Sequence, residues 1–333
     1  MSKFTVNIVP KGDDKRIPVK LAGQIMVGMQ DLLYRIGEYV MSEELRAQGP
    51  IDRGLLSKFT LYIDSAGGMG LKATSDRPET RGYGNIVDDA LGLLERTMDA
   101  LGSGIGGYWM DDHYSNPFYR NSVIYDILAL DECLRESEGY ALVYGSGKTK
   151  EFGRPNKEKL SAFIRDRGMT GEGAAIGIMQ SIPSKSRKSP VSLSQGKSSV
   201  RLRFADPSYD DIVAGPVEVR GMLRYSDDNT ILDVSGAKRP EPLVTVAFRR
   251  MVSVNGDVEL RAPVEASVSY QGDSWMLKNE DLGIVISKPD WDSAVQSFHD
   301  YFVFLWVHYT QGAVGDFGDE EKEVRETLMS LVV

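Results

Sequence analysis

The sequence predicts an α+β protein built from several small modules, and three observations carry that prediction. Helical and strand-like segments mix through residues 1–105, giving an N-terminal strand–helix–strand module. Short strands separated by turns rich in Pro, Gly, Ser and Asp fill 171–245, the pattern of a small β-barrel or curled sheet. Paired strands followed by two helices fill 246–333, a C-terminal strand–hairpin–helix module. Residues 106–170 join the first two as a mixed helix and hairpin connector. A chain of 333 residues accommodates two or three domains at roughly 100–200 residues each.

The elements follow in order. FTVNIV near the N-terminus alternates and reads as a strand. From Pro18 to about Arg46, Leu21, Ile25, Met29, Leu32, Leu33, Ile36 and Val40 recur at helical spacing. Leu55 to Asp64 reads as a second strand and GLKATS as a third. Ile86 to Leu101 is a helix with Ala90, Leu93, Leu94 and Met98 on its apolar face. GGYWMDDHYSNPFYR is a loop or broken helix, and Asn121 to Arg135 a helix. GYALVYGSGKTKEF is a hairpin turning at Gly145–Gly147, and Pro155 to Arg167 a short amphipathic helix. Strands are expected at Ala174–Met179, Val200–Phe204, Val217–Tyr225 and Thr230–Val234. GPVEVRGMLRYSDDNTILDVSGA resembles the closing strands of OB-like barrels. Val244–Val252, Glu265–Tyr270 and the hairpin SWMLKNEDLGIVIS lead to helices at Asp290–Tyr309 and Asp319–Leu331.

Hydrophobic residues make up 41% and charged residues 26%, as in ordinary globular chains. The net charge of −9 disfavours non-specific attraction to a phosphate backbone, although a local basic patch can outvote the total. The single cysteine, Cys133, can form neither an internal disulfide nor a thiolate cluster, and reads as a buried helix residue. No stretch has the length of a signal peptide or a bilayer span. We expect a soluble, cytoplasmic, prokaryotic protein with no membrane association and no cofactor.

No catalytic motif is complete. GSGKT at Gly145–Thr149 lacks the P-loop's first glycine, where Leu142 stands, and opens no helix. Gly67, Gly68 and Gly70 do not have dinucleotide spacing and read as a turn or bulge. His299 and His308 project on opposite sides of one helix, and His113 beside Asp111 and Asp112 has no identified co-ligands, so no metal site is assigned. The adjacent pairs Asp88–Asp89, Asp210–Asp211 and Asp227–Asp228 read as turns and helix starts. No catalytic residue is named.

Two features remain. Residues 182–203, IPSKSRKSPVSLSQGKSSVRLR, carry Lys185, Arg187, Lys188, Lys197, Arg201 and Arg203 with no acidic residue. A basic loop between barrel strands suits nucleic acid, although only Phe204, Tyr209 and Tyr225 offer stacking surfaces. The plain alternative is a flexible solvated loop. Second, the last-but-one helix is apolar most of the way round, with Trp291, Phe298, Phe302, Leu305, Trp306 and Tyr309 on a stripe and Tyr301, Phe304 and Val307 on its flanks. Such a helix needs cover on several sides, and Trp291, Phe298, Tyr301, Phe304 and Trp306 are candidate partner contacts.

The run SVSYQGDSWMLKNEDLGIVISKPDWDSAVQSFHDYFVFLWVHY resembles the HicB-type antitoxin module, a degenerate RNase H-like strand–hairpin–helix unit. The likeness rests on the paired strands, the acidic turn into Leu282, Gly283 and Ile284, and the helix entered near Asp292 and Ala294. It covers roughly residues 264–332 and lacks the carboxylates of RNase H enzymes. It implies a protein partner, although the separate DNA-binding segment of many such antitoxins has no counterpart here.

Three functions are therefore weighed. The first is a non-catalytic interaction or regulatory protein, a homo-oligomer or a subunit of a toxin–antitoxin or defence-type assembly. The second is a nucleic-acid-binding protein using 182–203. The third is an enzyme with an unrecognised site near Asp111–His113 or Gly67–Gly70.

Overall fold

A computed structural model describes residues 4–13, 16–64, 71–75, 86–180, 191–196, 198–206, 214–311 and 318–333. The protein is α+β and multi-module. Its chain divides into two compact units, one made of residues 1–40, 52–79 and 86–169, the other of 41–51, 80–85 and 170–333.

In the first unit, β1 (Phe4–Pro10) alternates buried Phe4, Val6 and Ile8 with half-buried Thr5 and Asn7. Helix α1 (Val19–Leu45) follows, its last turn belonging to the second unit. The segment expected as one strand from Leu55 begins instead as helix α2 (Arg53–Leu56) and a 3₁₀ turn at Ser57–Phe59. Asp52 caps α2 by accepting the Gly54 N–H at 2.7 Å. Gln30 then bonds both the Phe59 carbonyl and the Leu61 N–H, so the strand β2 (Leu61–Asp64) starts late. Strand β3 (Leu71–Ser75) and helix α3 (Ile86–Gly102) come next.

The aromatic-rich stretch is a broken helix, α4 (Gly107–His113), followed by α5 (Pro117–Arg135). Helix α5 starts four residues before the expected Asn121, with Pro117 in its first turn and Asn116 accepting the Phe118 N–H at 2.9 Å. Cys133 on α5 is half-buried rather than buried. Strands β4 (Tyr140–Ser146) and β5 (Lys150–Glu151) form the expected hairpin, and α6 (Lys157–Arg167) ends the unit. The sheet is antiparallel, in the order β2-β3-β1-β4-β5. It draws strands from both sides of residue 105, where the sequence reading places a boundary.

The second unit begins with a barrel. Its strands are β6 (Thr170–Met179), β7 (Val191–Gln195), β8 (Ser198–Phe204), β9 (Gly215–Tyr225) and β10 (Ile231–Ala237). Pairing closes the ring β6-β7-β8-β10-β9-β6, with β8 and β10 parallel and all other pairs antiparallel. Counted from β6, that is the 1-2-3-5-4-1 order of an OB-type Greek-key barrel. Leu193, Val200, Leu202, Val219, Leu223 and Val234 fill its interior. Gly177 permits the close approach that closure requires, because a Cβ there would stand 2.6 Å from Leu193 Cγ. A short strand β11 (Glu241–Pro242) pairs on the outside of β9.

The remaining residues form an antiparallel meander of β12 (Thr245–Ser253), β13 (Gly256–Gln271), β14 (Ser274–Asn279) and β15 (Ile284–Lys288). Helix α7 (Trp291–Trp306) packs on this sheet and runs into a π-helical turn at Val307–Gln311. Helix α8 (Asp319–Leu331) follows, and Val332 bridges back to Leu260 of β13. This is the expected strand–hairpin–helix arrangement. No helix among the described residues is long and apolar enough to cross a membrane.

Candidate functional site

The barrel order assigns the basic stretch a place. Residues 181–190 connect the first and second barrel strands, and β7 and β8 are the second and third. In OB-type barrels the face of strands two and three and the connection between strands one and two are where oligonucleotides and oligosaccharides lie.

Residues 182–203 are not one loop, as the sequence reading has them. Val191–Gln195 and Ser198–Phe204 pair as a hairpin, with Val191 opposite Leu202 and Leu193 opposite Val200. Leu193, Val200 and Leu202 point inward and are buried, so the residues between them must face out. Ser192, Ser199, Arg201 and Arg203 are accordingly exposed. Arg201 lies in register with Asp233, but that carboxylate is taken by Arg224, whose Nε donates at 2.8 Å. Neither Arg201 nor Arg203 has an ion pair among the described residues. Lys185, Arg187, Lys188 and Lys197 lie outside the described residues, as do Tyr209 and the Asp210–Asp211 pair.

Phe204 and Tyr225 are half-buried and packed against the barrel core, so neither is an open platform for a base. The described outer face of β7 and β8 is hydroxyls and guanidinium groups. Such groups bond phosphate and sugar oxygens rather than stack on bases.

Helix α7 separates its aromatics by burial. Trp291 and Phe298 are 4% and 0% exposed, which corrects their reading as partner contacts. Trp291 meets Trp275 of β14 with ring centroids 5.2 Å apart, and Phe298 meets Phe248 of β12 at 5.5 Å. Trp306 is half-buried. Tyr301 and Phe304 are 41% and 54% exposed, and Phe304 stacks on His308.

Two titratable groups on α7 are buried in a way that the sequence reading did not anticipate. His299 is fully buried, its Nδ1 accepting the Val252 N–H at 3.0 Å, and desolvation pushes its pKa down to about 3. Asp292 accepts the Gln48 N–H at 2.8 Å, and burial pushes its pKa up to about 6 against the pull of that bond. Helical spacing alone marks the face of His299, but nothing local marks Asp292, whose partner is 244 residues away.

The other motifs do not assemble into a site. Asp111 is paired with Arg120 at 2.8 Å and Arg167 at 3.0 Å. His113 instead turns Nδ1 toward the Trp109 carbonyl and stacks on the Trp109 ring. No group of three potential metal ligands occurs among the described residues. In GSGKT, Gly145 and Ser146 end β4, and Gly147, Lys148 and Thr149 make the turn to β5. Asp227 and Asp228 sit in the β9–β10 turn, with the Ser226 hydroxyl on Asp228. Gly67, Gly68 and Gly70 lie outside the described residues.

No family model, curated protein or solved structure matches this chain. The barrel order and its exposed arginines therefore stand as this protein's own evidence.

Proposed function

We propose that this protein is a non-catalytic binding protein whose OB-type barrel holds a single-stranded nucleic acid by its sugar–phosphate backbone. The observation that carries the reading is the barrel order: Arg201 and Arg203 lie on the third strand, Lys197 falls between the second and third, and Lys185, Arg187 and Lys188 fall between the first and second in the sequence. Arg201 and Arg203 are exposed and unpaired among the described residues. Without an open aromatic surface on the described barrel, the contacts this reading relies on are those to phosphate and sugar oxygens.

Binding of a fluorescent single-stranded oligonucleotide, followed by anisotropy, tests this. With about six phosphate contacts the slope of log K against log salt is expected near −4, so affinity falls on the order of a hundredfold or more between about 50 and 200 mM salt. Changing Lys185, Arg187 and Lys188 together to Ala is expected to reduce the slope by about 2. Absence of binding at about 50 mM salt, or a slope unmoved by the triple change, removes the reading.

A second reading has its own observation. Tyr301 and Phe304 form an exposed aromatic face on α7, on a module whose strand–hairpin–helix order fits the HicB-type resemblance. It supports a protein-binding role for this module, with a second copy or a partner chain over that face. Light scattering on protein from its native host is expected to give a mass well above the chain's 36.9 kDa. The change Phe304→Asp is expected to return it to the monomer value, whereas a monomeric wild type removes this reading.

A further inference from the structure

Barrel closure brings to β8 a pair of cations from a distant part of the sequence. Strand β10 runs parallel to β8, with Asp233 opposite Arg201 and Ser235 opposite Arg203. A bulge at Gly236, whose φ of 59° is in the left-handed region, then sets two residues of β10 against one of β8, and Ala237 comes opposite Phe204. Ala237 is buried, so the chain emerges from the barrel wall at Lys238 and Arg239, both of them exposed. Backbone bonds on both sides fix this exit. The Ala205 N–H donates to the Ala237 carbonyl at 3.1 Å, and the Lys238 N–H donates to the Arg220 carbonyl at 2.8 Å.

The carboxylates that β9 and β10 offer are already engaged. Asp233 holds Arg224, and Glu218 holds both Arg46 and Arg220, the latter at 2.8 Å. Lys238 and Arg239, like Arg201 and Arg203, have no ion pair among the described residues. Neighbouring strands lie about 4.8 Å apart, and residues two apart on one strand share a face at about 7 Å. Arg201, Arg203, Lys238 and Arg239 are therefore a run of exposed cations along β8 and past the end of β10, on a chain whose net charge is −9. Such a run attracts a polyanion in spite of the total.

We infer that Lys238 and Arg239 extend the nucleic-acid path, so that a bound strand leaves β8 at Arg203 and continues over the end of β10. This rests on the backbone-binding reading above. It adds two phosphate contacts that residues 182–203 do not contain, and it makes the footprint longer than the β7–β8 hairpin alone.

The probe is the same fluorescent single-stranded oligonucleotide added to the full chain. With about eight phosphate contacts in place of six, the slope of log K against log salt is expected to steepen from about −4 to about −5.6. Lys238→Ala/Arg239→Ala is expected to return it to about −4 and to weaken binding about tenfold or more at about 50 mM salt. Both side chains are exposed, and the group that Lys238 gives to the barrel is its backbone N–H, so the variant keeps the barrel intact. Arg249→Ala/Arg261→Ala removes the same charge from exposed positions on the meander and is expected to leave the slope unchanged. If the wild type binds and Lys238→Ala/Arg239→Ala binds with the same slope, the extension is overturned while the reading of β7 and β8 stands. If the meander variant loses as much as the barrel variant, the effect is one of net charge and the extension is again overturned. Absence of binding by the wild type removes both.

Discussion

Changing Phe298 to Ala is expected to destabilise the second unit by about 3–5 kcal/mol, the usual cost of emptying a fully buried phenylalanine site. Phe298 has no exposed surface, and its ring lies 5.5 Å from Phe248 on β12. The neighbouring strands are held by their own hydrogen bonds and cannot collapse into the space. The same change at Phe304, six residues on and 54% exposed, is expected to alter stability by no more than about 0.5 kcal/mol. Urea unfolding followed by tryptophan fluorescence measures both, because Trp275 and Trp291 lie in the same module. Equal effects at the two positions are incompatible with α7 docked on the meander through its Phe298 face.

That contrast shows how far the sequence could be read. Spacing identified α7 as apolar on nearly every side, but periodicity does not say which sides a sheet will cover. The meander takes Trp291, Phe298 and Phe302 and leaves Tyr301 and Phe304 in the open. The barrel was legible where apolar and polar residues alternate over long runs, as in Gly215–Tyr225. Strand β7 was missed because its inward residues, Val191 and Leu193, stand among serines in a lysine-rich stretch that reads as loop. Closure by the parallel β8–β10 pair, and insertion of β4 beside β1, are pairings between distant segments that no local pattern encodes. Around Leu55–Phe59 the β-like composition was overridden by the Asp52 cap and by Gln30 holding the chain on either side of Thr60. The contact of Gln48 with Gln195 and Asp292 joins segments distant in the chain, and it exists only once the chain has folded.

The second large effect is in the acid dependence of the second unit, where two groups on α7 act in opposite directions. His299 is held neutral with a pKa near 3 against about 6.5 when unfolded. Between those values the unfolded chain binds the extra proton. Its contribution is therefore complete above about pH 6.5 and is lost on acidification, to the extent of about 4–5 kcal/mol near pH 3. Asp292 has its pKa raised to about 6 from the 3.8 of a free aspartate. The folded state binds that proton more tightly, so its contribution is complete below about pH 3.8 and is lost as the pH rises through 6, by up to about 3 kcal/mol. Between pH 4 and 6 the two proton uptakes oppose one another, and their combined slope is close to zero.

Asp292→Asn removes one side of that balance. Its stability is expected to fall, relative to wild type, by about 1.4 kcal/mol for each pH unit between 6 and 4, the slope of one proton. At pH 7 the variant should be no less stable than wild type, because its side-chain oxygen can still accept the Gln48 N–H without burying a charge. Urea midpoints of both proteins at four pH values decide the matter. Parallel profiles would mean that the Asp292 carboxylate titrates as if in water, and that the packing of Gln48 and Gly49 over it does not persist in solution.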